Sequence, residues 1–295
     1  MTTAFEAMLQ LARLVGLLIE DKATGGSTTT IVCSNLFTLP DTSLDNALNG
    51  GTAFVVTDAG GAGAAPENES ARITGYTAAT GTVTLATGDL SAAAGAGDMF
   101  GVTTVPRYQL YQCLNAALRD LGSVPSEDTS LTTAAATREY TIPAAAKRDL
   151  RQVWVASRTE RPYDWYEIYC WEQRQNTSTY DLVFKEQPAA GYLIRLVYCA
   201  PHAALDDDAD TINDLVPLDY LIWKAAYHHY RQRLHATGKD DKRWTGLMNE
   251  AAEYASQALV RHPIRLPQYT TRLWAAPEPS TAGGPHLTTE EIETA

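Results

Sequence analysis

Two helical patterns near the C-terminus, Pro217–Thr237 and Lys242–Arg261, are separated by only a Gly-Lys-Asp turn. A connection that short makes the two helices antiparallel neighbours. The first carries an aromatic stripe, Tyr220, Trp223, Tyr227, Tyr230 and Leu234, flanked by Leu218, Leu221, Ile222 and Ala225. The second answers with Trp244, Leu247, Met248, Ala251, Ala255 and Ala258, whose alanines allow close approach. The tail that follows, 263–295, is interrupted by Pro263, Pro267, Pro277, Pro279 and Pro285. Proline fixes φ and removes a donor, so this tail reads as extended and able to order only against another surface. A helix pair with such an appendage points to an assembly subunit rather than an enzyme.

Upstream, an apolar helix spans about Thr3–Glu20, within an N-terminal segment 1–22, with Phe5, Met8, Leu9, Ala12, Val15 and Ile19 on one stripe. A second helix is expected at 107–122, opened by Pro106, striped by Tyr111, Leu114, Leu118 and Leu121, and stopped by Gly122. Between these two helices, residues 23–106 are rich in Gly, Ala and Thr and poor in charge, with short β patterns. Ala79-Thr80-Gly81 reads as the turn of a hairpin with arms Arg72–Tyr76 and Thr82–Ala86. The expectation here is a small β-barrel or sandwich, inserted as a separable module.

A second β region, 137–200, alternates at Tyr140/Ile142, Val153/Val155, Tyr180/Leu182/Phe184 and Tyr192–Cys199, which suggests an antiparallel meander. It also holds Trp154, Trp165 and Trp171, read as packing residues. The fold class is therefore α+β: a four-helix core (1–22, 107–122, 217–237, 242–261), a β region between its second and third helices, the inserted module and the tail.

Net charge is −12, which argues against a nonspecific clamp on duplex DNA. It leaves room for a channel that DNA merely traverses. Positive charge concentrates in residues 217–275, suited to an acidic partner or to an ordinary solvated helix face. Cys33, Cys113, Cys170 and Cys199 are widely spaced and read as reduced thiols. The N-terminus lacks the basic region of a signal peptide, and no apolar run approaches the ~18 residues of a membrane span.

No catalytic, cofactor-binding or metal site is read from the chain. Gly60-Gly61-Ala62-Gly63 lacks the Lys-Ser/Thr ending of a phosphate loop. Asp206, Asp208 and Asp210 share the first spacings of a calcium loop, but Thr211 stands where that loop needs Gly and Pro217 where it needs Glu. His228 and His229 are adjacent on a helix and point about 100° apart, poorly placed to share a metal. Glu167 and Glu172 could serve as a glycosidase carboxylate pair, yet residues five apart in a strand face opposite ways.

Four passages carry a resemblance. Met8–Arg13 with Leu17–Asp21, YQCLNAALRD at Tyr111–Asp120, REYTIP at Arg138–Pro143 with Asp149–Val153, and Gly191–Tyr198 with Leu221–Tyr230 are similar, in that order, to head-to-tail adaptor (connector) proteins of tailed bacteriophages. The likeness covers residues 1–22 and 107–262; residues 23–106 depart from it.

The resemblance implies a virion neck protein, assembled in the host cytoplasm into a ring, typically of twelve copies. It implies docking beneath the portal protein, contact with tail or further neck proteins, and passage of packaged double-stranded DNA without sequence-specific binding. No cofactor and no membrane partner is implied. The expected docking residues are Arg261, Arg265, Gln268, Tyr269, Arg272, Leu273 and Trp274, because Arg and aromatic side chains often dominate interfaces. Two rivals stand beside it: a baseplate or fibre-attachment subunit whose β module binds a glycan, and a peptidoglycan hydrolase using Glu167 and Glu172.

Overall fold

A computed structural model describes residues 2–16, 18–36, 43–237 and 241–270. The chain divides into two compact units, Met1–Val124 with Pro201–Ile264, and Pro125–Ala200 with Arg265–Ala295. In chain order the first unit begins with β1 (Thr2–Thr3), α1 (Ala4–Val15), β2 (Ile19–Lys22), β3 (Gly25–Ser27), β4 (Thr30–Val32), β5 (Thr52–Thr57), β6 (Glu69–Thr77), β7 (Thr82–Leu85), β8 (Met99–Thr103) and α2 (Arg107–Leu121). The second unit contains β9 (Ser123–Thr132), β10 (Glu139–Thr141), β11 (Leu150–Ala156), β12 (Trp165–Glu167), β13 (Trp171–Gln175), β14 (Tyr180–Phe184) and β15 (Leu193–Pro201), its terminal residues crossing the unit boundaries. The chain then returns to the first unit with β16 (Thr211–Ile212), α3 (Leu218–Thr237) and α4 (Lys242–Arg261).

The four helices form where the sequence pattern places them, except that α1 ends early. A capping box starts α1: the Glu6 N–H donates to Thr3 Oγ1 (3.2 Å) and the Thr3 N–H to Glu6 Oε2 (3.1 Å). The helix stops at Gly16, where a Cβ would lie 2.7 Å from Thr103 Oγ1. The chain there presses against the end of β8. Ile19, expected on the helix stripe, instead enters β2 and pairs with Val102. An apolar residue at a helical spacing fits the edge of a sheet equally well.

Helices α3 and α4 are antiparallel neighbours, since Trp223 meets Tyr254 (ring centroids 4.6 Å) and Tyr230 meets Trp244 (6.0 Å). Ala251, Ala255 and Ala258 are buried along their contact. The Tyr230 hydroxyl donates to the Leu14 carbonyl at 3.1 Å, tying α3 to α1. Phe5, Met8, Leu11, Leu110, Leu114 and Leu221 occupy the helical core.

The expected barrel does not form, and that part of the fold assignment is corrected. Residues 19–103 contribute one seven-stranded sheet, ordered β2-β8-β5-β6-β7-β4-β3, which stays open. Closure requires the terminal strands to meet in register. Here β2 pairs with β8, and β3, only Gly25–Ser27, pairs with β4. A loop covers the β3 edge instead, with the Ala94 N–H donating to the Ser27 carbonyl at 3.3 Å. The sheet is divided along β6, whose first half pairs with β5 and whose second half, beyond an irregularity at Ile73/Gly75, pairs with β7. Gly81 adopts φ +60° in the hairpin turn, and a Cβ there would lie 1.9 Å from the Cys33 carbonyl oxygen. One face of this sheet buries Ile31, Val55, Ile73, Val83, Phe100 and Val102. Phe54 points the other way, into the helical core.

In the second unit the expected single meander is also replaced. One sheet runs β12-β11-β15-β9 and another β10-β14-β13. Leu150, Val153, Ile194 and Leu196 of the first share a core with Tyr140, Trp171, Leu182 and Phe184 of the second.

Candidate docking site

The second unit presents an incompletely paired strand. Only Trp154–Ala156 of β11 lie in the β12 ladder, so its N-terminal half is left open on that side. Residues Pro267–Thr270 of the tail fill the gap. The Thr270 N–H donates to the Arg151 carbonyl at 3.0 Å, a bond of the kind an added strand makes. Gln152 Nε2 donates to the Gln268 carbonyl at 3.1 Å, and Arg151 Nη1 to the Pro267 carbonyl at 2.7 Å. The Thr270 hydroxyl donates to Glu167 Oε1, and Thr270 is 8% exposed.

Arg151 is the centre of this site. Its Nη2 pairs with Asp149 Oδ2 at 2.9 Å, and its guanidinium lies over the Tyr269 ring, 4.7 Å from the centroid. The Tyr269 hydroxyl donates to Asp149 Oδ1 at 2.5 Å. Burial by itself would raise the Asp149 carboxyl, but hydrogen bonds from Arg151 and Tyr269 outweigh it and hold the group below its ordinary range. The Tyr269 phenol is pushed up by the Asp149 carboxylate that it bonds. The arrangement is a clamp for an extended peptide: three contacts read tail backbone, and one aromatic ring is held by stacking and an ionic hydrogen bond.

The sequence-predicted docking residues are divided. Arg261 ends α4 in the first unit and is exposed. Arg265, Gln268 and Tyr269 belong to the second unit, and Tyr269 remains 63% exposed while its hydroxyl is engaged. Arg272, Leu273 and Trp274 lie outside the described residues. The receiving residues Asp149, Arg151, Gln152 and Glu167 had no docking role assigned from sequence. Their only advance signal is an Asp-x-Arg-Gln spacing at the start of a strand, which is common.

The other candidate residues are engaged structurally. Asp208 is buried in the first unit, accepting from the Ser70 N–H (2.5 Å), Ser70 hydroxyl (2.9 Å) and Tyr111 hydroxyl (2.6 Å), with Arg107 Nη2 at 3.3 Å. Burial, then the Asp208 carboxylate, push the Tyr111 phenol far up. Asp210 instead accepts the N–H groups of Asp206 and Asp207, so the acidic loop does not aim its carboxylates at one point. An open cleft of about 710 Å³ lies beside this network, lined in part by Arg72, Asp89, Arg107 and Tyr108.

His228 Nε2 lies 3.1 Å from Asp120 Oδ2, which also pairs with Lys224 at 2.9 Å. Burial holds the His228 imidazole below its ordinary range despite that carboxylate. His229 faces the interior, and burial pushes its imidazole down to about 4. Glu172 pairs with Arg174, while Glu167 bonds Thr270 and Tyr169. Among the described residues no group of three His, Cys, Asp or Glu side chains is arranged to hold a metal ion. Likewise no helix among them is long and apolar enough to cross a membrane. Compared with known proteins, the chain matches no family model and no curated relative.

Proposed function

We propose that this chain is a structural subunit of a tailed-phage neck, a head-to-tail adaptor that forms a ring, docks under the portal, extends the DNA channel and presents a surface to the tail. The observation that supports this most is the order of parts. Helices α1 and α2 pack with the antiparallel pair α3/α4, and a β unit leaves the helical body after α2 and returns before α3. This is the plan that the sequence resemblance implies. The engagement of Asp206–Asp210, Glu167, Glu172, His228 and His229 in structural contacts fits a mechanical role.

Co-sedimentation with purified portal, followed by negative-stain imaging, tests the proposal. The full chain should add a ring below the portal, and a chain lacking Arg261–Ala295 should lose portal binding. Undiminished binding by the truncated chain would overturn the assignment of the tail as the docking element.

A second reading draws on the aromatic surface of the second unit. Tyr166 is 62% exposed and Tyr169 46%, and Trp154 and Trp165 are half-buried on β11 and β12. Aromatic faces of this kind stack on sugars, which would suit a fibre-attachment subunit. Retention on a glycan array, abolished by Tyr166→Ala, would favour it over the neck.

A further inference from the structure

After α4 the chain passes from the first compact unit into the second, where residues 267–270 lie on a sheet edge. Between Arg261, the last residue of α4, and Pro267 lies the connector His262-Pro263-Ile264-Arg265-Leu266. It has no regular structure, and His262, Pro263, Arg265 and Leu266 are exposed. Pro263 and Pro267 stiffen both ends and keep the segment from extending α4. A short connector before a docked terminal segment is where identical subunits can exchange that segment.

The docking chemistry is equally suited to exchange. Arg151, Gln152 and the Arg151 carbonyl read backbone atoms of Pro267, Gln268 and Thr270. A second copy carries the same backbone and the same Tyr269, so its tail would satisfy the same donors and acceptors. Exchange needs no new recognition surface and leaves no β11 edge open.

We propose that residues 267–270 of one copy occupy the β11 edge of the next copy, so that head-to-tail tail exchange links the subunits. Each subunit then gives one tail and receives one, a heterologous contact that closes into a ring when the rotation between copies allows. The occupant is a second copy of this chain. The inference rests on the ring reading above and gives it a residue-level joint.

The test uses full-length protein with the exposed Cys170 replaced by Ser. Two single variants, Gln152→Cys and Gln268→Cys, are mixed and oxidised mildly, with Glu167→Cys and Thr270→Cys as an independent second pair. Exchange predicts a disulfide-linked heterodimer from the mixture. It also predicts a ladder of linked chains from the double variant Gln152→Cys/Gln268→Cys. If both double variants close within a single chain and neither mixture yields a heterodimer, exchange is overturned. Rings seen by negative stain in that same sample would leave the ring reading standing. A ladder from protein that fails to bind portal would support exchange and count against the neck assignment.

Discussion

The Phe54 ring meets the Phe5 ring edge-on, with centroids 5.8 Å apart and planes at 73°. Phe5 belongs to α1 and Phe54 to β5, and both are fully buried. The seven-stranded sheet and the helices therefore share a core, as their grouping into one compact unit also indicates. Phe54→Ala removes an aromatic side chain from a packed interior and should cost about 3–5 kcal/mol. Because the side chain serves both layers, sheet and bundle should unfold in one transition. Amide exchange followed through chemical denaturation in α3 and α4 and in β5–β8 would check this. Two separated transitions would show that the layers are energetically independent.

Asp208 joins the same two layers electrostatically. It takes hydrogen bonds from Ser70 on β6 and Tyr111 on α2, and pairs with Arg107 at the start of α2. Asp208→Asn places an amide among donors and leaves Arg107 without its carboxylate. The expected loss is about 3 kcal/mol, because removing one partner strands the others in a buried site. Tyr111→Phe deletes one of these bonds and should cost about 1–2 kcal/mol. Urea melts of the two variants would rank them, and equal values would contradict the central role of the carboxylate.

Much of the helical architecture was legible in the sequence because its signals are local. Pro106 and Gly122 bracket α2, and the Tyr220-to-Leu234 stripe defines α3. The hairpin at Gly81 was equally readable, since a left-handed turn needs glycine. Sheet closure was not legible. Alternation reveals which residues face a core, but not whether the first strand meets the last. The polar strand β9, with Pro125, Ser126, Glu127 and Asp128, carries no apolar alternation and so left no signal. The receiving side of the docking site was hidden for another reason. Asp149 and Glu167 gain their roles from residues more than a hundred positions away, Tyr269 and Thr270.

Buried His229 predicts an acid-sensitive first unit. Its imidazole is depressed to about 4 from an ordinary 6.5, chiefly by burial and secondarily by Arg233, and its Nδ1 has no hydrogen-bond partner among the described residues. A folded-state value below the unfolded one means that the unfolded chain binds the proton more readily. Stability is full above pH 6.5 and falls as pH drops from 6.5 toward 4. The loss approaches about 3 kcal/mol at the acid end. His229→Leu should flatten that slope, so that the variant loses less stability than the parent between pH 7 and pH 5. Urea midpoints at the two pH values decide the matter, and an unchanged slope in the variant would remove His229 as its source.

Arg151 is expected to control whether the tail stays on its sheet edge. Its guanidinium pairs with Asp149, bonds the Pro267 carbonyl and covers the Tyr269 ring, all while mostly buried. Arg151→Met keeps the apolar stem and removes all three interactions. Hydrogen bonds to charged groups contribute about 1.5–3 kcal/mol each in favourable settings, so a net weakening of about 2 kcal/mol is reasonable for this partly solvated site. That raises the open population roughly 30-fold. The Thr270 amide, bonded to the Arg151 carbonyl, is the reporter, and its hydrogen exchange should accelerate by that factor. Tyr269→Phe loses only the hydroxyl bond to Asp149 and should give a smaller acceleration. Core amides of β14 and β15 should keep their protection in both variants. Loss of protection there would mean that Arg151 supports the sheet itself, whereas an unchanged Thr270 rate would mean that the backbone contacts alone hold the tail.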